Sequence, residues 1–291
     1  MKLQVVHRTK YTYTEPATVS HHEARLTPRA SEAQRTIASE IEVVPNPSGR
    51  RNRFDYFGNR TTYFSLAEPH RTFSVTATTT VETTATLLPQ FDATPGWEAV
   101  VERLRTDRRR DVLQANHMRF ASPFVPLDVS LVEYAKPSFV GNRPILVATC
   151  DLMLRINSDF AYDPTATDLS TPLMEVMALR RGVCQDFAHV MLGCMRSLGL
   201  AVRYTSGYLR TQPPPGRDRV IGADASHAWV SVWVPEVGWV DFDPTNRQCA
   251  NDGYVTLAVG RDYSDVAPLR GVVLGGGSHT LDVSVDVQTI E

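Results

Sequence analysis

The chain has 291 residues, of which 42% are hydrophobic and 21% charged, and carries a formal net charge of −2. That length exceeds what one core usually fills, so two domains are expected, and the apolar content excludes an intrinsically disordered chain. Near-neutral charge lacks the basic footprint of a polyanion binder, so nucleic acid is not an expected partner.

The opening run Met1-Lys2-Leu3-Gln4-Val5-Val6-His7 lacks the apolar core of a signal peptide. No apolar stretch approaches the roughly 20 residues that span a bilayer, so the expectation is a soluble, cytoplasmic protein with no membrane partner. Residues 1–86 read as short β-rich runs, Val5–Tyr13, Ile37–Val44, Thr61–Leu66 and Thr72–Val81, punctuated by turns at Phe57-Gly58-Asn59 and Glu68-Pro69. Alternation at Tyr11 and Tyr13, and at Phe73, Val75 and Ala77, predicts half-buried antiparallel strands packed as an N-terminal β-sandwich domain. Residues 87–140 turn mixed, a linker and helical region with a helix expected over Trp97–Arg105. The run Arg108-Arg109-Arg110, flanked by Asp107 and Asp111, reads as a solvated helix end rather than a phosphate site.

Residues 141–291 carry the α+β pattern of a second domain, helices first and a mostly antiparallel sheet after. Helical spacing covers Arg143–Ile156 and Pro172–Arg180, the latter with Thr171 as N-cap and Pro172 at the first helical position. A third helix runs from Cys184 to Leu198 with Phe187, Met191, Cys194 and Leu198 on one face and Gly199 as its stop. Strands follow at Ala201–Leu209, Ser226–Val234, Trp239–Asp243 and Thr280–Val287. Gly275-Gly276-Gly277-Ser278 lacks the lysine of a P-loop and reads as a turn.

The four cysteines, Cys150, Cys184, Cys194 and Cys249, are widely spaced without a Cys-x-x-Cys pair, which suggests free thiols rather than a zinc site or a disulfide framework. Cys184 opens its helix, where unpaired N–H groups and the helix dipole favour a thiolate and can hold an oxyanion. Cys194, on the apolar face, reads as core. His227 opens the strand Ser226–Val234 and shares a face with Trp229 and Trp233, and is the candidate base. Across the turn, Trp239, Asp241 and Asp243 alternate onto one side. Setting Trp233 opposite Trp239 brings Asp243 within reach of His227 and requires an odd-membered loop. Asp241 competes for the same role, and alternation does not separate the two. His189, five positions past Cys184, is turned away from the sulfur and reads as structural, and Asp186 reads as a carboxylate that favours the helix start.

Arg181-Gly182-Val183-Cys184-Gln185-Asp186-Phe187-Ala188-His189, then Ser226-His227-Ala228-Trp229, then Asp243-Pro244-Thr245-Asn246 resemble the transglutaminase-like core in order and spacing. His7, Thr9, Tyr11 and Tyr13, Arg25-Leu26-Thr27-Pro28-Arg29 and Phe57-Gly58-Asn59 are similar to the β domain that precedes this core in a bacterial transglutaminase-like family. The resemblance implies a papain-like fold, a Cys184, His227, Asp243 triad and chemistry without metal or organic cofactor. It places Asp243 rather than Asp241 in the triad and offers Tyr162 as an oxyanion partner. Asp224 and Trp229 are candidates for substrate contact. The expected reaction is acyl transfer through a thioester on a peptide or protein substrate, with hydrolysis favoured. Protein crosslinking is the alternative outcome, and a non-catalytic peptide-binding module the alternative class. Gly260-Arg261-Asp262-Tyr263-Ser264-Asp265 resembles a shared family segment without an assigned role.

Overall fold

The structure, a computed structural model, describes residues 1–211 and 226–290. Five strands come first: β1 (Lys2–Ala24), β2 (Gln34–Val44), β3 (Gly49–Phe54), β4 (Arg60–Leu66) and β5 (His70–Thr83). Helices α1 (Trp97–Thr106), α2 (Arg110–Asn116), α3 (Val129–Ala135) and α4 (Ile145–Asp159) follow. Next come β6 (Ala161–Tyr162), α5 (Leu173–Leu179), β7 (Arg181–Gly182) and α6 (Cys184–Ser197). The chain continues through β8 (Val202–Leu209), β9 (Ser226–Val234), β10 (Gly238–Asp243), β11 (Gln248–Cys249), β12 (Tyr254–Gly260), α7 (Tyr263–Val266), β13 (Leu269–Gly275) and β14 (His279–Thr289).

The N-terminal strands form one antiparallel sheet in the order β2-β5-β1-β4-β3, and β1 runs long enough to change partners along its length. Its first half pairs with β5 and β14, its second half with β4 and β13. A core of Ala17, Leu26, Ile41, Phe64, Phe73 and Val75 fills this sheet. Thr280–Val287, expected beside the strands of the second domain, therefore belongs to the N-terminal sheet, with Leu3 opposite Thr289 and Tyr13 opposite His279. Alternation announced the strand correctly but carries no information about which sheet receives it. The glycine run 275–277 makes the β13–β14 turn, all three residues at positive φ.

The second sheet has the order β11-β10-β9-β8-β12, and α6 packs across β8 and β9. From Gln185 to Arg196 every residue of α6 is buried, so this helix is the centre of the core rather than a surface element. The expected stop holds, with Gly199 at φ +88°. Residues 97–135 supply helices whose Val100, Leu104, Val112, Ala115, Leu131 and Ala135 join the same core, so the region between the sheets is packed structure. At α5 the expected cap moves by one residue: Pro172 occupies the N-cap with extended ψ, and the Thr171 hydroxyl accepts from the Asp168 N–H instead.

Candidate active site

Cys184 is the first residue of α6, half-buried, and its N–H and that of Gln185 precede the first intrahelical bond, from Phe187 N–H to Val183 C=O. Asp186 organises this helix start: its Oδ2 accepts from the Val183 N–H at 2.8 Å and from the Thr167 hydroxyl at 2.7 Å. Burial raises the Asp186 carboxyl above its ordinary value. A Cβ on Gly182 would stand 2.3 Å from Asp186 Oδ2, so glycine is what allows the carboxylate to fold back over the helix entrance.

His227 stands on β9 with Nε2 2.6 Å from Asp243 Oδ2. Its ring and the Cys184 thiol line the same cavity, close enough for the cysteine to favour the charged imidazole. Burial opposes a charge on the imidazole, but the hydrogen bonds and charges of Asp243 and Cys184 outweigh it and raise His227 to about 10. Asp243 is fully buried. Burial opposes its charge too, yet the bonds from His227, Asn246 and Tyr254 hold the carboxyl below the usual range. The β9–β10 register is the expected one, Trp233 opposite Trp239, with a loop of three residues between Val234 and Gly238. Asp241 lies opposite Ser231, away from the imidazole. Spacing left the two carboxylates undivided; the structure brings Asp243 to His227.

Tyr162 lies near the sulfur, close enough for the Cys184 charge to add to the effect of burial in raising its phenol, and packs edge-on against Phe187. Trp229, expected to touch substrate, is wholly buried; it lies 6.0 Å beneath the His227 ring and edge-on to Tyr254 at 5.2 Å. Its place is therefore the floor of the imidazole and not the cleft. Asp224 falls outside the described residues. His189 is buried among Phe124 and Tyr204 and accepts from the Tyr263 N–H at 3.3 Å. Burial pushes its imidazole well down, and the ring is structural as expected. Cys194 is buried too, its thiol pushed up to about 12 by desolvation.

A cavity of about 300 Å³ opens over Cys184 and His227. Its walls come from both ends of the chain: His7, Thr9 and Tyr11 of β1 and Leu281 and Val283 of β14 face Tyr204, Ser206 and Tyr263 of the core. Apart from the imidazoles and the thiol, its lining is uncharged at neutral pH.

The transglutaminase-like superfamily model matches residues 141–244, and the model of the bacterial transglutaminase-like N-terminal region matches residues 3–82. An uncharacterised protein of Mycobacterium tuberculosis (strain H37Rv) is 39% identical over 300 residues, spanning 100% of this chain and 93% of its own. Another from Mycobacterium leprae is 36% identical over 289 residues, covering 98% of each. The chain belongs to the transglutaminase-like superfamily. A crystal structure of a candidate cysteine protease from Cytophaga hutchinsonii has the same fold, with a TM-score of 0.75 at 20% identity over 100% of this chain and 91% of that one. A protein-glutamine gamma-glutamyltransferase of Pseudomonas aeruginosa is 34% identical over 98 residues, which is 32% of this chain and 15% of that protein.

Within this transglutaminase-like site several residues escaped the sequence reading. Tyr254 donates to Asp243 Oδ2 at 2.6 Å, and Asn246 Nδ2 donates to the same oxygen at 2.7 Å. The backbone N–H groups of Thr245 and Asn246 reach Asp243 Oδ1 at 2.9 and 3.1 Å. The Asp243-Pro244-Thr245-Asn246 string was visible as a motif, but nothing in it announces that Asn246 turns back on the carboxylate. Tyr254, eleven residues on and in another strand, has no local signal at all. The Gly260–Asp265 segment now has a physical role. Buried Asp262 caps α7 through the Ser264 N–H and holds the Phe124 N–H, both at 2.9 Å, which sets Tyr263 in the cleft wall.

Proposed function

We propose that this chain is a thiol acyl-transfer enzyme of the peptidase or amidase type, with Cys184 as nucleophile, His227 as its acid and base, and Asp243 as the group that orients and charges the imidazole. The observation that carries the reading is the His227 ring, bonded on Nε2 to a buried carboxylate and sharing a cleft with Cys184, the only thiol that lines it among the described residues. An imidazole raised to about 10 is a strong enough base to take the proton of the Cys184 thiol as the sulfur attacks. The sulfur bonds to the amide carbon and the carbonyl electrons move to oxygen, facing the N–H groups at the start of α6. His227 Nδ1 then gives its proton to the departing amine as the C–N bond breaks, leaving a thioester. Water that loses a proton to the same nitrogen hydrolyses the thioester and restores the thiolate.

Hydrolysis is the favoured second half because the cleft walls Leu281 and Val283 are each 50% exposed, which gives water an open approach to the thioester. Transfer to an amine is the second reading, supported by the local likeness to the Pseudomonas glutamyltransferase. Iodoacetamide labelling of the native protein, read by mass spectrometry, tests the first half-reaction. Cys184 is expected to label at least about tenfold faster than Cys150, Cys194 and Cys249, with the advantage lost in His227→Ala. Equal labelling of the four thiols would return the chain to the class of peptide-binding modules. Partition of an acyl-enzyme between water and added glycine ethyl ester then separates hydrolysis from transfer.

A further inference from the structure

A second cleft, of about 700 Å³, lies away from the thiol, between the N-terminal sheet, α2 and the outer face of β8 and β10. Arg29, Arg108, Arg110 and Arg203 line it together with Tyr56 and Trp239, and no aspartate or glutamate lines it among the described residues. In a chain whose formal charge is −2, four guanidinium groups around one cavity are a local feature that the net charge conceals.

Each arginine is held differently. Arg203 lies 4.3 Å over the Trp239 ring, and its Nε is buried with no hydrogen-bond partner among the described residues. The Arg203 side chain lines the cavity, and a guanidinium stacked on an indole is held in place to receive an oxyanion. Burial, opposed by the nearby charge of Asp241 and reinforced by that of Arg29, lowers the Arg203 guanidinium to about 10. Arg29 is fixed through Nη1 to the Phe57 C=O at 2.7 Å and to Asn59 Oδ1 at 2.8 Å. Its Nη2 lies 3.5 Å from where a Cβ on Gly58 would stand, at a φ of +74° that suits glycine. The Arg-Leu-Thr-Pro-Arg and Phe-Gly-Asn strings of the N-terminal region thus meet to build one wall.

The triple arginine run supplies the rim. Arg109 is spent on Asp107 at 3.0 Å and Glu236 at 3.6 Å, whereas Arg108 and Arg110 make no ion pair among the described residues and face the cavity. Reading the run as a solvated helix end accounts for Arg109 alone.

We propose that this cleft binds a compact polyanion, a small molecule carrying two or more phosphate or carboxylate groups, with Arg203 and Arg29 as the floor and Arg108 and Arg110 as the rim. Planar guanidinium groups match the oxygens of such groups in bidentate fashion.

Isothermal titration calorimetry of the full chain with pyrophosphate and, separately, with citrate tests the proposal and distinguishes the two sources of charge. Saturable binding of either is expected, weakening as salt rises because screening acts on the exposed rim. Arg108→Gln with Arg110→Gln is expected to weaken it by about tenfold or more, and Arg109→Gln by less than about twofold. Arg203→Lys, which keeps the charge but loses the planar contact with Trp239, is expected to weaken binding as well. If Arg203→Lys fails to fold, the rim variants, whose side chains reach solvent, still decide. No saturable heat with either anion, or equal weakening by Arg109→Gln and the double rim variant, would overturn the proposal.

Discussion

Asp243 holds a charge with no solvent contact, and the donors from His227, Tyr254, Asn246 and the Thr245 backbone are what make this tolerable. Asp243→Asn keeps the shape but removes the charge that sustains the imidazolium. The expected result is a loss of roughly 10²- to 10⁴-fold in kcat/KM, with the pH profile of Cys184 alkylation displaced and protein yield preserved. Tyr254→Phe removes one donor from a buried carboxylate and is expected to cost about 1–3 kcal/mol in urea unfolding. The raised imidazole has its own signature. Its folded value, about 10, exceeds the ordinary 6.5, so its stabilisation is complete below pH 6.5 and is lost as pH rises through 10. Unfolding scans of the native chain and of His227→Gln should diverge across that window and run parallel below it. That Cys184 and His227 would be candidates for one site was legible from a cysteine at a helix start and a histidine at a strand start, and the two line one cavity. The choice between Asp241 and Asp243 was not legible, since two carboxylates of equal parity differ only in how far along the strand they sit.

Among the elements, the β9–β10 hairpin was the most legible, because the tryptophans and a three-residue turn leave a single register that keeps the imidazole and carboxylate on one face. The adjoining strand was less so, for its critical residue has no side chain. A Cβ on Gly207 would stand 2.0 Å from the Val255 C=O and 2.6 Å from the Trp229 ring, so glycine here lets β12 and the tryptophan close under His227. Gly207→Ala is expected to destabilise the protein by at least about 3 kcal/mol, read as a fall in the urea midpoint, with reactivity at Cys184 falling in parallel. The Gly182 contact with Asp186 gives a milder form of the same logic. Gly182→Ala displaces the carboxylate from the Val183 N–H and should slow Cys184 labelling more than it lowers the melting temperature.

At the scale of the molecule, an N-terminal β region and a later helix-then-sheet region were readable from the strand pattern, but the return of β14 to β1 was not, because pairing over such a distance in sequence leaves no local trace. Acid sensitivity is also a property of the whole. Burial lowers His7 to about 4, and burial with the neighbouring charges of His70 and His21 lowers His22 to about 4. Glu23 is held below the usual range by Arg53, Arg25 and Arg270 against the opposing effect of burial. Each folded value lies below its unfolded one, so the unfolded chain binds more protons and stability is lost as pH falls, from 6.5 through 4 for the histidines. A melting temperature that declines steadily from pH 7 to pH 4, less steeply in His7→Gln, is the expected measurement.

The wall made by Leu281 and Val283 is synthesised after the thiol and its base, and it reaches the cleft only when β14 lies down along β1. On a ribosome the Cys184 thiol therefore emerges beside an unfinished pocket, with one wall of the cavity missing. A chain arrested before residue 279 would carry Cys184, His227 and Asp243 without the enclosure that presents an amide to them.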